Sequence, residues 1–247
     1  MSGHSKWSTI KRKKGAQDAR RSKLWSKLLR AVEVAAREGG GNADANPTLA
    51  SAVQKAKESS VPNDNIDKAI KRGTGELEGE TYDEVSYEGY GPGGVAVLVN
   101  CLTSNRNRAA QDVRSAFNGL GGKLAEPGAV SWMFEPRGMI VVPASYSEED
   151  VFMAAADAGA EDIRPSDESI EVVTAPDSFK AVRDALEAAD IEIESSELTQ
   201  VPKTTIQLEG GDAKKVLGLV DALEELDDVQ DVYANFDIPD DVLASVV

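Results

Sequence analysis

The sequence predicts an α+β protein of three domains: a basic N-terminal three-helix domain and two ferredoxin-like βαββαβ-type domains, one inserted in the other. Three observations carry this expectation. Charge is segregated, with eleven Lys or Arg against two acids in residues 2–37 of a chain whose formal net charge is −16. Helical apolar spacing gives way after residue 79 to short apolar, strand-like runs. Beyond that point the strand-like and helix-like segments follow an order that completes two split αβ sets. A length of 247 residues also exceeds what one hydrophobic core usually serves.

The basic domain spans residues 1–79. Residues 1–15 hold a KRKK run among glycines and serines with no apolar period, and read as a mobile arm. From Ala16 the pattern turns helical. Leu24, Leu28 and Val32 fall at i, i+4 and i+8 with Trp25, Leu29 and Ala36 beside them, and Gly39-Gly40-Gly41 ends the helix. Asn46-Pro47 starts a second helix, with Asn as N-cap and Pro at the first helical position. It buries Leu49, Ala52, Val53 and Ala56. A third helix follows Pro62, with Ile66, Ala69 and Ile70 inward and Gly73 as its stop. Through Glu76 there are sixteen basic and eight acidic residues, so the charge boundary coincides with the structural one.

After residue 79, Val85–Tyr87 reads as a strand. Gly89–Gly94 is a turn, and Val95–Leu102 a central strand apolar on both faces. A helix at 105–120 and a strand at Val130–Phe134 follow. Next comes a complete set: strand Met139–Val142, helix Ser147–Ala158 capped by Ser147, strands Asp162–Arg164 and Ile170–Thr174, helix Pro176–Ala189, and strand Ile191–Glu194. Strand Thr204–Leu208, helix Asp212–Leu226 and strand Val229–Ala234 then supply half a unit, which the 95–134 elements complete. The expected limits are therefore 80–134 with 203–238 for one αβ domain, and 135–202 for a domain inserted in it.

No apolar run is long enough to span a bilayer, and charges interrupt the N-terminus where a secretory signal would need an apolar core. A mitochondrial presequence is disfavoured by Asp18 and Glu33 and by continuity with the following helix. The lone Cys101 permits no internal disulfide and fits a cytoplasmic location. Catalytic sets are lacking. The one histidine, His4, lies in the arm, and Cys101 sits on a strand read as buried. Glu224-Glu225 and Asp227-Asp228 lack metal-loop spacing. The expectation is a non-enzyme with no metal, no cofactor, no small-molecule substrate and no membrane partner.

The charge pattern points to a polyanion. In the arm, Lys6, Lys11, Arg12, Lys13 and Lys14 can neutralise phosphates, and His4 and Trp7 can stack on exposed bases. Arg20, Arg21, Lys23 and Lys27 surround the apolar stripe of the first helix, and Lys68, Lys71 and Arg72 lie near the end of the third. Thr103-Ser104-Asn105-Arg106-Asn107-Arg108 leaves a central strand and opens a helix. There the N-terminal amides with Arg106 and Arg108 suit a phosphate, or else Thr103 or Ser104 caps the helix and the arginines pair with the acidic body. Tyr90-Gly91-Pro92-Gly93-Gly94 lacks the phosphate-loop pattern; it reads as a tight hairpin turn that can double as a contact loop.

Several of these motifs resemble the YebC/PmpR family. They are Gly3-His4-Ser5-Lys6-Trp7 with Ile10-Lys11 and Lys14-Gly15, Asn46-Pro47, Pro62-x-Asp64-Asn65-Ile66, Tyr87–Gly94 and Thr103-x-Asn105-Arg106-Asn107-Arg108, in order over the first 140 residues. The resemblance implies a helical domain followed by two αβ domains, and a non-enzymatic, cytoplasmic role in gene expression. Members are commonly described as DNA-binding transcriptional regulators. Mitochondrial relatives act as translational activators, and bacterial ones are tied to ribosomes stalled on proline-rich nascent chains. This chain departs from the family pattern in having Ser104 where an Asp is usual and Trp25 where Phe is frequent. Two readings stay open: a ribosome- or rRNA-associated translation factor, and a DNA-binding transcriptional regulator. The third helix offers few side chains of the kind that read base edges, which favours the first.

Overall fold

The computed structural model describes residues 18–166, 169–208 and 210–238, with side chains from residue 21 onward. In chain order the elements are α1 (Asp18–Gly39), α2 (Pro47–Glu58), α3 (Asn63–Gly73), β1 (Asp83–Tyr90), β2 (Ala96–Thr103), α4 (Arg106–Gly119) and β3 (Lys123–Leu124). These are followed by β4 (Phe134–Pro143), α5 (Glu148–Ala155), β5 (Ala160–Pro165), β6 (Ser169–Thr174), α6 (Phe179–Ala188), β7 (Ser195–Pro202), β8 (Ile206–Gln207), α7 (Gly210–Glu224), β9 (Val229–Ala234) and β10 (Phe236–Asp237). The class is α+β: N-terminal helices, then two small antiparallel sheets.

The helices pack through Leu28, Val32, Ala35 and Ala36 of α1 against Leu49, Ala56, Val61, Ile66 and Ala69. Leu24, expected on the same stripe, is 45% exposed. α1 has 22 residues, against 12 and 11 in its two partners, which leave its early turns partly uncovered. Buried Asn46 joins two helix ends. Its Oδ1 accepts from the Leu49 amide at 3.1 Å, capping α2, while its Nδ2 donates to the carbonyls of Ala35 and Gly40 at 2.8 and 2.9 Å at the end of α1. α1 and α3 meet so closely at Gly73 that an added Cβ would lie 2.3 Å from the Glu33 carbonyl.

The second sheet has the order β5-β6-β4-β7 with antiparallel neighbours, the ferredoxin-like arrangement of a βαββαβ set. The first has the order β3-β1-β2-β9, also antiparallel throughout. Here the structure corrects one expectation. The position assigned to Thr204–Leu208 is held by β1, which pairs with β2 over its whole length from Asp83↔Thr103 to Tyr90↔Ala96. A short hairpin turn, with Gly93 and Gly94 at φ 70° and 79°, closes that pairing locally; a strand about a hundred residues away would have to close a far longer loop. Of 204–208, only β8 is a strand, and it pairs in parallel with β10. β9 rejoins the first sheet after the chain has traversed the whole second sheet. On that topology we propose the domain limits 1–79, 80–134 with 203–238, and 135–202.

Two further strands move. Val130–Phe134 is a 3₁₀ turn over Ser131–Met133, and the strand begins at Phe134 and continues through Met139–Val142. Ile191–Glu194 is not a strand. The amides of Asp190 and Ile191 donate to the carbonyls of Glu187 and Leu186 at 3.1 and 3.0 Å, with Asp190 at φ 57°, a Schellman ending to α6. Ile191 is apolar because it plugs the core beside Leu186, and pairing resumes only at Ser195.

One face of the first sheet carries Val95, Val97, Val99 and Cys101 against Phe117 of α4 and Leu219 and Val220 of α7. The other carries Ala96 and Leu98 beneath Val130 and Phe134. Gly89 sits where β1 touches α4, and an added Cβ there would lie 2.6 Å from the Phe117 ring and 2.8 Å from the Lys123 carbonyl. Gly89→Ala is therefore expected to cost about 1–3 kcal/mol in urea unfolding. Gly119→Ala, with open space around it, is expected to be neutral or slightly stabilising.

Candidate nucleic-acid interface

The arm residues proposed to touch a polyanion, His4, Lys6, Trp7, Lys11, Arg12, Lys13 and Lys14, lie outside the described residues, as does the side chain of Arg20. The remaining candidates divide into those turned toward the protein's own acids and those left at the surface.

The first group lines the face of α1 that meets the turn between α7 and β9. Lys23 donates to the Glu225 carbonyl and lies 3.1 Å from Asp227. Lys27 donates to the Glu224 carbonyl at 2.6 Å. Burial is the largest influence on its amino group and brings it down to about 8; Glu224, Asp227 and Asp231 pull the other way. Arg30 donates to the carbonyls of Leu102 and Asp227 at 2.8 and 2.9 Å and to Asp228 Oδ1 at 3.3 Å, with its guanidinium 4.9 Å from the Tyr82 ring. Both main-chain acceptors are carbonyls left over where a helix or strand ends, so α1 supplies the donors that those ends lack.

Asp228 is the common acceptor. It is 6% exposed and takes bonds from Arg30, from Thr103 Oγ1 at 3.0 Å, and from Nε and Nη2 of Arg108 at 3.2 and 2.8 Å. Arg106 pairs with Asp83 at 2.9 Å. The cap of α4 is Asn105, whose Oδ1 accepts from the Arg108 amide at 3.1 Å; Thr103 Oγ1 instead accepts from the Asn105 amide at 3.0 Å. A cleft of about 580 Å³ opens here, lined among others by Lys23, Arg30, Ser104, Arg108, Asp112 and Asp227. Arg106 and Arg108 keep side-chain exposures of 64% and 52%, so a phosphate at the start of α4 would share their guanidinium groups with Asp83 and Asp228.

In the second group, Arg21 is exposed and lies 4.9 Å over the ring of Trp25, whose Nε1 donates to the Ser59 carbonyl at 3.0 Å. Lys68 and Lys71 are exposed on α3, and Arg72 lies 3.7 Å from Glu33. α3 also exposes Asp64 and Asp67, so its outer face is mixed in sign.

The turn after β1 lies against the domain core. Gly91 is buried, and an added Cβ would lie 3.2 Å from Leu219; one at Gly93 would lie 2.8 Å from Leu208. Pro92 is half-buried, while Tyr90, Gly93 and Gly94 are exposed. Beside them stand two residues that the sequence did not single out as contacts, although Glu88 lies within the Tyr87–Gly94 motif. Glu88 is buried and accepts from the amides of Gly128, Val130 and Ser131 at 2.7, 2.6 and 2.8 Å. Burial pushes its carboxyl up, but the three amides outweigh that and leave it below the usual value. Trp132, on the turn that these bonds hold, is 62% exposed. The Pro127-Gly128 pair, a turn signal just ahead of it, was the cue that the segment is not a plain strand.

Cys101 is buried and its thiol is pushed up to about 12 by burial, with Asp228 adding to the effect, which disfavours the thiolate at neutral pH. Among the described residues no group of His, Cys, Asp and Glu could hold a metal ion, and no helix is long and apolar enough to cross a membrane.

Comparison with known proteins matches residues 5–76 to the family described as TACO1/YebC protein N-terminal domain, and residues 82–236 to TACO1/YebC second and third domain. A protein of Rubrobacter xylanophilus, described as a probable transcriptional regulatory protein, is 56% identical over 100% of this chain and 99% of its own. One of Geobacter sulfurreducens with the same description is 53% identical over 96% of both chains. The crystal structure of a conserved hypothetical protein from Aquifex aeolicus superposes with a TM-score of 0.82 at 48% identity, covering 92% of this chain and 94% of that one.

Two outcomes test the contact between α1 and the α7–β9 turn. Asp228→Asn removes the charge shared by Arg30 and Arg108 and is expected to cost about 2–3 kcal/mol in urea unfolding. The lowered Lys27 value means that between about pH 8 and 10.5 the unfolded chain binds more protons at this site than the folded one. The site's contribution to stability therefore rises with pH across that window. Unfolding of wild type and Lys27→Met at a series of pH values should show the difference moving in favour of wild type from pH 8 upward.

Proposed function

The chain belongs to the TACO1/YebC family, and on that footing we propose that it is a non-enzymatic, nucleic-acid-binding regulator of gene expression that acts on RNA, as a ribosome- or rRNA-associated translation factor. The observation that carries this reading is the disposition of the cations. Lys23, Lys27 and Arg30 on α1, and Arg106 and Arg108 on α4, are directed to the protein's own acids and carbonyls. The contact with a target then falls to the basic N-terminal segment, with Arg21, Lys68 and Lys71 as flanking charges. A strongly acidic body lies behind them. A short basic segment on an acidic body suits a confined docking site better than a long duplex, whose phosphates the body would repel.

The α3 helix argues in the same direction. A helix reading the major groove needs Arg, Asn or Gln along its exposed face; α3 fully exposes one such residue, Asn63 at its first position, and beside its lysines it exposes Asp64 and Asp67, which phosphates would repel. The DNA-binding alternative is favoured by the description of the relatives as probable transcriptional regulatory proteins. Sedimentation through a sucrose gradient separates the two readings. The protein is expected to migrate with ribosomal particles at low salt and to leave them as salt rises. Free protein at the top of the gradient under both conditions, with a footprint on duplex DNA that persists under competitor at physiological salt, would establish the alternative.

Replacing Lys11, Arg12, Lys13 and Lys14 together by Ala is expected to weaken binding to single-stranded RNA. It should lower the slope of log affinity against log salt by roughly 3. Lys23→Ala, which removes an internal contact, should leave that affinity within about twofold by fluorescence anisotropy.

A further inference from the structure

We propose that Trp132, together with Tyr90 and Lys123, forms a stacking platform for one unpaired nucleobase of a single-stranded nucleic acid, a second contact apart from the basic segment; this rests on the nucleic-acid reading above. The turn that carries Trp132 is fixed from several sides. Glu88 takes three of its amides, the Ala129 amide donates to the Glu126 carbonyl at 3.2 Å, and the Met133 amide to the Val130 carbonyl at 2.9 Å. Val130 and Phe134 on either side are buried at 0% and 5% exposure against Ala96 and Leu98. An apolar ring in such a turn would be expected to join that cluster, yet Trp132 is 62% exposed.

The polar handle of the ring is already used. Trp132 Nε1 donates to the Ala129 carbonyl at 3.1 Å, and Tyr90 Oη donates to the same oxygen, also at 3.1 Å. The two aromatic residues therefore meet at one acceptor and offer a ligand ring surface rather than hydrogen-bond donors. Such a surface takes any base by its π-face and discriminates little between bases. Lys123 is paired directly with Tyr90 across β1 and β3, which places both side chains on the same face of the sheet. Lys123 is exposed, with an ammonium available to the phosphate next to a stacked base.

The test measures anisotropy of labelled twelve-nucleotide single strands, RNA and DNA, and of an RNA duplex, with the full-length protein, Trp132→Ala and Trp132→Phe. Trp132→Ala is expected to weaken single-strand binding about tenfold, with the salt slope unchanged. Trp132→Phe should retain most of the affinity, and the duplex should be indifferent to either change. A loss with both strand types supports a site for any unpaired base, and a loss with RNA alone supports one that also senses the ribose. Trp132→Ala binding single strands as wild type does, while the arm variant loses affinity, overturns this proposal and leaves the preceding reading standing. A wild-type protein that binds no strand overturns both.

Discussion

The carboxylate of Asp228 sits where three parts of the chain converge: Arg30 from the N-terminal helices, Thr103 at the end of β2, and Arg108 in the first turn of α4. A buried carboxylate in that position must be matched by donors, because leaving it unpaired costs far more than pairing returns. The match fixes how α1 lies on the first αβ domain. With α1 in place, Lys23 and Lys27 reach the main chain at the end of α7, and Arg30 reaches the end of β2. Much of the positive charge in the middle of α1 thus holds domains together.

A second carboxylate plays a comparable part at the other edge of the sheet. Glu88 is the β1 residue two before Tyr90, on the same face, and it gathers the amides of the 128–131 turn. That turn covers the sheet face opposite α4 and α7 and delivers the chain into β4, the first strand of the second sheet. The same device that links the two sheets also sets Trp132 at the surface beside the glycine-rich turn. Structure and proposed contact are therefore not separable there: a change at Glu88 would disturb both.

Much of the fold was legible in the sequence because local signals agreed with the tertiary result. Asn46-Pro47 started α2, Ser147 capped α5 with its Oγ accepting from the Asp150 amide, and Val229–Ala234 is β9 to the residue. The elements that moved are those where a long-range contact overrode the local pattern. Val130 and Phe134 are apolar for the sheet face beneath them, and the amides of Val130 and Ser131 go to Glu88 instead of a neighbouring strand. Ile191 is apolar for the core at a helix end. Thr204–Leu208 lost its expected place to a hairpin that closes within a few residues. For the candidate site, charge counting located the cations but could not say which of them answer to acids two hundred residues away in the chain. Glu224, Glu225, Asp227 and Asp228 carried no signal beyond lacking metal-loop spacing until the fold set α1 against them. Trp132 was hidden for a related reason, since an aromatic residue inside a segment read as strand is ordinarily core.

Ultraviolet crosslinking in living cells, with the adducts mapped to peptides and the bound strands identified, most directly tests whether α1 faces its own chain or a target. RNA adducts on the N-terminal basic segment and on the peptide carrying Trp132, with none on Lys23, Lys27 or Arg108, are the predicted result. DNA adducts concentrated on the Lys23–Arg30 face of α1 or at the start of α4 would contradict it.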